Sequence, residues 1–241
     1  MRAVAIVTGS SRGIGRAIAG RLAADGARLV VNYRSCREAA DKLVAEIESH
    51  GGQALAVQAD VADPDQLRSL FDVAEHSFGG LDILVSNAGI GRFSPIAEAS
   101  EEDFDALFAT HAKATFVALR EAANRMRDGG RIVVVSSGQT VVVRQASGLY
   151  AASKAAGDQL VRVLAHELGP RHITVNSVLP GPTRTDGYTR QAGNSAGQVA
   201  AGTPLGRLGE PSDIADAVAF LTSESGRWIT GQAIHAGGGL F

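Results

Sequence analysis

The sequence has few of the side chains from which disulfides and zinc sites are built. Cys36 is the only cysteine among 241 residues, so an internal disulfide is excluded, as is usual for a protein kept in a reducing compartment. The six histidines are scattered, and no pair has the spacing of zinc ligands. We therefore expect a cytoplasmic protein without a metal site.

Long apolar runs and an excess of charge of one sign are also missing. No apolar run approaches the roughly 20 residues needed to span a bilayer, and the apolar stretch in Met1-Arg-Ala-Val-Ala-Ile-Val7 is too short for a signal peptide. A formal charge of −2 and an isoelectric point near 6.3 do not favour nucleic acid or an anionic membrane surface. We expect a small-molecule ligand, with no nucleic-acid or membrane partner.

Short apolar segments alternate with segments of helical periodicity along the chain. This alternation predicts a parallel sheet with helices on both faces, and the length suits one domain over residues 1–241 better than two small ones. The predicted fold is a doubly wound, seven-stranded parallel sheet. Its strands are expected at 3–7, 28–31, 54–58, 81–85, 131–136, 173–178 and 231–235, and its helices at 16–24, 38–50, 64–78, 100–126, 148–168 and 210–222.

A glycine-rich turn joins the first predicted strand to the first helix, and it reads Thr8-Gly-Ser-Ser-Arg-Gly-Ile-Gly15. Glycines let the pyrophosphate of a dinucleotide approach the backbone, and the helix N-terminus offers unpaired N–H groups and a positive dipole end. Strand, turn and helix in this order predict a Rossmann-type dinucleotide site. The residues expected to contact the cofactor here are Gly9, Ser11, Gly13, Ile14 and Gly15.

The end of the second predicted strand distinguishes the two nicotinamide cofactors. A carboxylate there would bind the ribose 2′-hydroxyl of NAD, but the sequence reads Asn32-Tyr33-Arg34-Ser35. Arg34 and Arg12 are suited to flank a 2′-phosphate. NADP(H) is therefore favoured over NAD(H), with Asn32, Tyr33 and Arg34 among the contacts; the alternative is that both arginines are merely exposed charges.

Polar and small residues follow several other predicted strands. Ligands of such sheets bind beyond the carboxyl ends of the strands, where the sequence has Asn87-Ala88-Gly89, Ser137 and Pro180-Gly181. The segment 183–204 is polar, rich in glycine and alanine, and weakly periodic. We expect it to be a lid or substrate loop.

The stretch Tyr150-Ala-Ala-Ser-Lys154 places a phenol and an ammonium one helical turn apart. A neighbouring cation favours the phenolate and lowers the pKa of a tyrosine from about 10. Such a phenol can give a proton to a carbonyl oxygen or take one from an alcohol. The alternative is an ordinary aromatic residue at a helix start beside a solvated lysine.

Taken together, these motifs resemble the short-chain dehydrogenase/reductase family over nearly all of residues 1–241. The spacing of 13 residues between Ser137 and Tyr150 is that of the family. The segment with Asn32, Tyr33 and Arg34 after the second strand is similar to the corresponding segment of 3-oxoacyl-carrier-protein reductases. The motifs that carry the resemblance are Thr8-Gly9-x-x-x-Gly13-x-Gly15, Asp60, Asn87-Ala88-Gly89, Ser137, Tyr150-x-x-x-Lys154 and Pro180-Gly181.

The resemblance implies a role for each motif residue. Tyr150 would be the general acid/base, Lys154 would lower its pKa and hold the nicotinamide ribose, and Ser137 would bind the substrate carbonyl oxygen. It also implies a homo-oligomer, a dimer or tetramer. The resemblance also implies that Gly13 and Ile14 contact the pyrophosphate, Asp60 and Val61 hold adenine, Asn87 holds the adjacent ribose region and Thr185 hydrogen-bonds the carboxamide. The other expected cofactor contacts are Ala88, Gly89, Pro180, Gly181 and Thr183.

Two positions depart from the family pattern. His111 stands where the family has an asparagine that holds a water linking the catalytic lysine to solvent. A histidine exchanges protons near pH 6.5, so one hypothesis is that His111 replaces the asparagine in this relay; the alternative is a packing or capping histidine. Near the C-terminus, Ala236-Gly237-Gly238-Gly239 replaces Val-Asp-Gly-Gly, and the missing carboxylate puts the usual contacts of that tail in doubt.

The predicted function is NADP(H)-dependent reduction of a ketone to a secondary alcohol, with a 3-oxoacyl thioester as one candidate substrate. Two alternatives remain. One is an NAD-linked alcohol, polyol or steroid dehydrogenase, and the other is a non-catalytic dinucleotide-binding sensor.

Overall fold

The computed structural model of the protein describes residues 2–192 and 196–241. Seven strands form one sheet in the order β3-β2-β1-β4-β5-β6-β7, and every neighbouring pair is parallel. The predicted seven-stranded parallel fold is confirmed. The strands are Val4–Val7 (β1), Arg28–Tyr33 (β2), Gln53–Gln58 (β3), Ile83–Ser86 (β4), Arg131–Val135 (β5), Thr174–Pro180 (β6) and Ala233–Ala236 (β7).

Helices connect the strands and cover both faces of the sheet. None in the described ranges is long and apolar enough to cross a bilayer. The α-helices are Gly13–Ala24 (α1), Arg37–Ser49 (α2), Pro64–Phe78 (α3), Glu101–Leu107 (α4), Ala114–Arg125 (α5), Gly148–Leu168 (α6), Asp186–Ala192 (α7), Ala196–Gly202 (α8) and Pro211–Thr222 (α9), and a π-helical segment, Phe108–Lys113, joins α4 to α5.

The core has one apolar layer on each face of the sheet, because successive strand residues point to opposite sides. Along β1, Val4 and Ile6 face α3, α5 and α6, whereas Ala5 and Val7 face α1, α2 and α9. All four residues are fully buried. The unbroken apolar sequence of β1 is therefore explained by contact with helices on both sides.

The strand order reverses at β1, which lies between β2 and β4. From β1 the chain runs outward through β2 to β3, then crosses to the other side of β1 and continues from β4 to β7. The loops after β1 and β4 therefore leave the sheet in opposite directions and open a crevice at its carboxyl edge. Most of the predicted site residues lie at this edge.

Three elements differ from the sequence-based prediction. Strand β2 extends to Tyr33, so Asn32 and Tyr33 lie within the strand. The helix predicted at 100–126 contains the π segment, which changes its register. The predicted lid contains α7 and α8, while its residues 193–195 lie outside the described part of the chain.

Candidate active site

The glycine-rich turn after β1 is bonded directly to the end of β4. Thr8 Oγ1 accepts hydrogen bonds from the backbone N–H groups of Asn87 (2.9 Å) and Ala88 (3.0 Å), and Asn87 Nδ2 donates to the Thr8 carbonyl at 2.8 Å. These bonds hold the two sides of the crevice together. The side chain of Asn87 thus helps to position the turn.

Three positions of the turn require glycine. Gly9 and Gly13 have φ angles of +63° and +56°, in the left-handed region that favours glycine. A Cβ on Gly15 would lie 2.5 Å from Asn87 Nδ2 and from the Gly9 carbonyl oxygen. Arg12, at the N-cap of α1, has no side-chain oxygen to cap the helix, so the first N–H groups of α1 can bind an anion.

Asn32 supports this turn from inside the protein. Its Oδ1 accepts from the Gly9 N–H at 2.9 Å, its Nδ2 donates to the Ala59 carbonyl at 3.0 Å, and the residue is 2 % exposed. Tyr33 is also buried, in the apolar layer beneath α1 and α2. Both side chains are oriented into the protein, because β2 continues past the predicted end. Contact of Asn32 and Tyr33 with a cofactor stays a prediction.

Arg12 and Arg34 are exposed at the same edge, and within residues 2–192 and 196–241 neither forms an ion pair with a carboxylate. Asp60 and Val61 follow β3 beside them. The Asp60 carboxylate accepts from the Ala62 N–H at 3.0 Å, and Val61 is buried. Within the described part of the chain, both guanidinium groups are thus without a carboxylate partner, and their contact with a 2′-phosphate stays a prediction.

The three residues of the proposed catalytic set converge at the end of β5. Helix α6 begins at Gly148, which places Tyr150 and Lys154 on consecutive turns of one face. The Ser137 hydroxyl lies close enough to the Tyr150 phenol to lower its pKa against the effect of burial. Lys154 Nζ donates to the Val135 carbonyl at 2.9 Å. The sequence motif therefore becomes one compact polar cluster.

Burial, rather than the Lys154 ammonium, has the larger effect on the pKa of Tyr150. It raises the pKa of Tyr150, and the hydrogen bond with Ser137 acts in the opposite direction. Burial also lowers the pKa of Lys154 to about 8, against the attraction of Asp158. The expectation that Lys154 lowers the pKa of Tyr150 is thus corrected for the chain by itself, because desolvation of the phenolate is the larger effect.

His111 lies in the π segment, buried against Tyr150. Its Nε2 accepts from the Ile90 N–H at 3.0 Å, so in the neutral ring the proton is on Nδ1, which lies 2.8 Å from Ser153 Oγ. Ser153 Oγ in turn donates to the Tyr150 carbonyl at 2.8 Å. The rings of His111 and Tyr150 meet edge to face, 5.4 Å apart. His111 therefore fixes the segment after β4 to the first turn of α6.

The titration expected of His111 is not found. Burial, and then repulsion from Lys154, lower its pKa from 6.5 to about 3, so the ring stays neutral around neutral pH. That His111 replaces the asparagine of the relay stays a prediction; both of its ring nitrogens are bonded within the protein. Gly89 lies against the same groups: a Cβ there would be 3.1 Å from His111 Nε2 and 3.4 Å from Lys154 Nζ.

Thr185, in the predicted lid segment, lies against the glycine-rich turn. A Cβ on Gly13 would lie 3.4 Å from Thr185 Cγ2, and Thr185 Oγ1 accepts from the Tyr188 N–H in the first turn of α7. Thr183 is buried, with its hydroxyl donating to the Gly181 carbonyl at 2.9 Å. Of the two threonines, Thr185 is the one that faces the crevice.

The C-terminal tail closes another side of the site. The Phe241 ring covers Gly138, where a Cβ would lie 2.2 Å from its Cε1 and Cζ atoms, and it also covers Gly237. Gly237 passes so close to Gly181 that a Cβ on the latter would be 2.7 Å from the Gly237 Cα. Gly238 contacts Thr203 at the end of the lid. The glycine run thus lets the tail pass between β6, the lid and the residue after Ser137.

A family model described as enoyl-(acyl carrier protein) reductase matches residues 9–241. Versicolorin reductase from Emericella nidulans is 42 % identical, over 99 % of this chain and 95 % of its own. A chloroplastic NADPH-dependent aldehyde reductase-like protein from Arabidopsis thaliana is 44 % identical, over 98 % of this chain and 93 % of its own. The chain belongs to the short-chain dehydrogenase/reductase family.

A solved structure of the family supports the same assignment. The crystal structure of the angucycline C-6 ketoreductase LanV with bound NADP matches with a TM-score of 0.93 and 41 % identity, covering 99 % of this chain and 95 % of that chain. The predicted membership of the short-chain dehydrogenase/reductase family is confirmed. The closer similarity to 3-oxoacyl-carrier-protein reductases stays a prediction.

Sequence reasoning missed several residues of this short-chain dehydrogenase/reductase site. Phe93 packs on Tyr150, with ring centroids 5.0 Å apart, and Phe241 covers Gly138. Neither has a motif around it, because each reaches the site through the tertiary fold. Asp158 did have a signal, since it lies four residues after Lys154 and eight after Tyr150 on the same helix face.

Proposed function

We propose that this short-chain dehydrogenase/reductase reduces a ketone to a secondary alcohol, with NADPH as the hydride donor. The observation that carries the proposal is the juxtaposition of the Ser137 and Tyr150 hydroxyls, near enough for Ser137 to lower the pKa of the phenol, with Lys154 one helical turn further along α6. Two hydroxyl donors at one point suit an oxygen on which negative charge develops. The crevice beside them ends in the glycine-rich turn that suits a dinucleotide.

The residues of the crevice fit NADP(H). The turn has no side chain at Gly13 or Gly15 to obstruct a pyrophosphate, and the start of α1 offers free N–H groups. Arg12 and Arg34 would bind the 2′-phosphate. The bound NADP of LanV supports the same choice. Further contacts are proposed for Gly9, Ser11, Ile14, Asp60, Val61, Asn87, Ala88, Gly89, Pro180, Gly181, Thr183 and Thr185, and for Asn32 and Tyr33 through the backbone they support.

When bound, the reduced nicotinamide supplies the hydride that reaches the carbonyl carbon. Tyr150 gives its proton to the carbonyl oxygen, and Ser137 donates a hydrogen bond to the same oxygen. The raised pKa of Tyr150 keeps the phenol protonated near neutral pH, which is the form that reduction needs. Lys154 holds its positive charge beside this oxygen, and His111 orients the helix turn that carries Tyr150.

The surroundings of the site favour a substrate with an apolar body. Ile96 and Val143 are 75 % and 98 % exposed, and Ile96 lies against Gly148 at the start of α6. Leu205, at the end of the lid, is also exposed. A 3-oxoacyl thioester is the second candidate, because Arg144 is exposed and close enough to Tyr188 to lower that phenol's pKa against the effect of burial. Arg144 could pair there with the phosphate of a phosphopantetheine.

Replacing Tyr150 tests the proposed chemistry. We expect Tyr150→Phe to lower kcat for ketone reduction by about 10²- to 10⁴-fold, because the proton donor is lost, while the dissociation constant of NADPH changes little. Turnover is followed by NADPH oxidation with apolar cyclic ketones and 3-oxoacyl thioesters, and NADPH binding by fluorescence. Tyr33→Phe is the matched control, since the Tyr33 side chain is buried in the apolar layer beneath α1 and α2.

The outcomes separate the alternatives. Full turnover by Tyr150→Phe would contradict the proposed mechanism. Binding of NADPH by the wild type without turnover of any ketone would favour the sensor. A higher kcat/KM with NADH and an alcohol than with NADPH and a ketone would favour the NAD-linked dehydrogenase.

A further inference from the structure

Three consecutive residues at the end of β5 bind three residues spaced four apart on α6. Val135 accepts from Lys154 Nζ at 2.9 Å, and the Ser137 hydroxyl lies close enough to Tyr150 to lower the pKa of its phenol. The residue between them, Ser136, donates from its Oγ to Asp158 Oδ2 at 2.9 Å. Asp158 is thus the third member of the helix face that carries the proposed catalytic tyrosine and lysine.

Burying the Asp158 carboxylate costs solvation free energy, which a nearby positive charge would have to offset. The residue is 9 % exposed, and its second oxygen, Oδ1, is buried without a hydrogen-bond partner in the described ranges of the chain. A buried carboxylate loses solvation that one hydroxyl donor does not restore, so a nearby cation is needed. Lys154, one turn away on the same face, is that cation, and its pKa is raised by Asp158 against the effect of burial.

We propose that Asp158 is a positioning residue whose buried carboxylate keeps the Lys154 ammonium protonated and directed at the end of β5. Its effect on turnover rests on the proposed function, but its effect on Lys154 does not. Without Asp158, burial alone acts on the ammonium and favours the neutral amine. Asp158 therefore maintains the positive charge beside the site at neutral pH.

The other groups that face Lys154 cannot replace this charge. From the π segment, His111 stays neutral, because its pKa is lowered to about 3. From α6 itself, burial keeps Tyr150 protonated. From the end of β5 comes the Val135 carbonyl, and the Ser136 hydroxyl after it is bonded to Asp158. Among the groups described around Lys154, the anion is Asp158.

The sequence permits a direct measurement, because it contains only three lysines, Lys42, Lys113 and Lys154. Lys42 and Lys113 are exposed, and replacing both with arginine leaves one lysine signal in protein labelled with 13C at lysine Cε. An NMR titration of that signal reports the protonation of Lys154 without any substrate. We expect a midpoint near pH 8 in this background.

Removing the carboxylate should move this midpoint. Asp158→Asn keeps an oxygen that accepts from Ser136, and we expect the midpoint to fall by about one pH unit. Asp158→Glu, which restores the charge, should bring the midpoint back towards the starting value. Asp41→Asn, on the exposed face of α2, is the matched control for net charge and should leave it unchanged.

Two results would overturn the inference: an unchanged midpoint in Asp158→Asn, or a midpoint below pH 7 with Asp158 intact. The second needs no variant, so it decides the matter even if Asp158→Asn does not fold. The pH profile of kcat for ketone reduction is measured in parallel. The pH at which kcat changes as Lys154 loses its proton should move with the NMR midpoint. If Tyr150→Phe keeps full turnover while the NMR midpoint still shifts, the proposed function fails and the role of Asp158 stands.

Discussion

At Tyr150, burial and hydrogen bonding act on the phenol in opposite directions. The raised pKa keeps the proton on the oxygen, which suits proton donation to a carbonyl. Taking a proton from an alcohol would require the phenolate, which burial disfavours. At the residue scale, the chain by itself therefore holds Tyr150 in the protonated form near neutral pH.

Arg34 is the residue on which cofactor choice is expected to depend. We expect Arg34→Ala to lower kcat/KM for NADPH by roughly 10- to 100-fold, because a charge-assisted hydrogen bond to the 2′-phosphate is lost, and to leave kcat/KM for NADH nearly unchanged. Steady-state kinetics with both cofactors measure the ratio. Arg37→Ala is the control, since Arg37 is exposed but paired with Asp41; an unchanged cofactor ratio in Arg34→Ala would contradict this account.

His111 is expected to make the protein sensitive to acid. Its pKa is about 3 in the folded protein and near 6.5 when unfolded, so between these values the unfolded state binds more protons. Its contribution to stability is present above pH 6.5 and is lost as the pH falls towards 3, by several kcal/mol. His111→Asn should flatten this part of the pH dependence of the free energy of unfolding, measured by urea denaturation.

The control for this experiment is His166→Asn, because His166 is exposed near the end of α6. This variant should keep the slope of the wild type between pH 6.5 and 3. An equal slope in His111→Asn and wild type would mean that carboxylates, and not this ring, cause the acid sensitivity.

Among the elements, those with local signals could be predicted closely. Helix α6 spans the predicted residues 148–168, and α3 begins where Asp63, followed by proline, suggested a cap; Asp63 Oδ1 accepts from the Asp65 and Gln66 N–H groups. The π segment could not be predicted, because one extra residue in a turn hardly alters an apolar pattern. The position of the C-terminal tail over Gly138 could not be predicted either, because it depends on contacts between residues far apart in the sequence.

The contact between the tail and the loop after β5 predicts a coupled pair of mutations. Gly138→Ala would place its Cβ 2.2 Å from the Phe241 ring, and we expect a loss of about 1–3 kcal/mol in the free energy of unfolding, as for other overpacked sites. In Gly138→Ala/Phe241→Ala the clash is absent. The double variant should therefore lose less free energy of unfolding than the two single variants lose in sum. Urea denaturation of the four proteins measures the coupling, and strict additivity would contradict the contact.

At the scale of the whole molecule, aromatic side chains on α4 and α5 remain uncovered. Phe104 and Phe116 are 44 % and 46 % exposed, and Phe104 stacks on Phe108 at 4.2 Å. The family resemblance implies that these helices pair between subunits, so we expect sedimentation velocity to give a dimer or tetramer. Phe104→Glu/Phe116→Glu should sediment as a smaller species, whereas Leu55→Glu, on the edge strand β3, should not; a monomeric wild type would contradict the prediction.

The π segment has a consequence for how the long helical stretch tolerates deletion. An α turn closes its hydrogen bond over four residues and a π turn over five, so the π segment accommodates one extra residue between α4 and α5. Removing one residue from Phe108–Lys113 would therefore let the stretch wind regularly, with α4 and α5 in nearly their present orientation. The lost residue would come from the turn that holds His111 beside Ile90, so the deletion should change that bond more than the packing of the two helices.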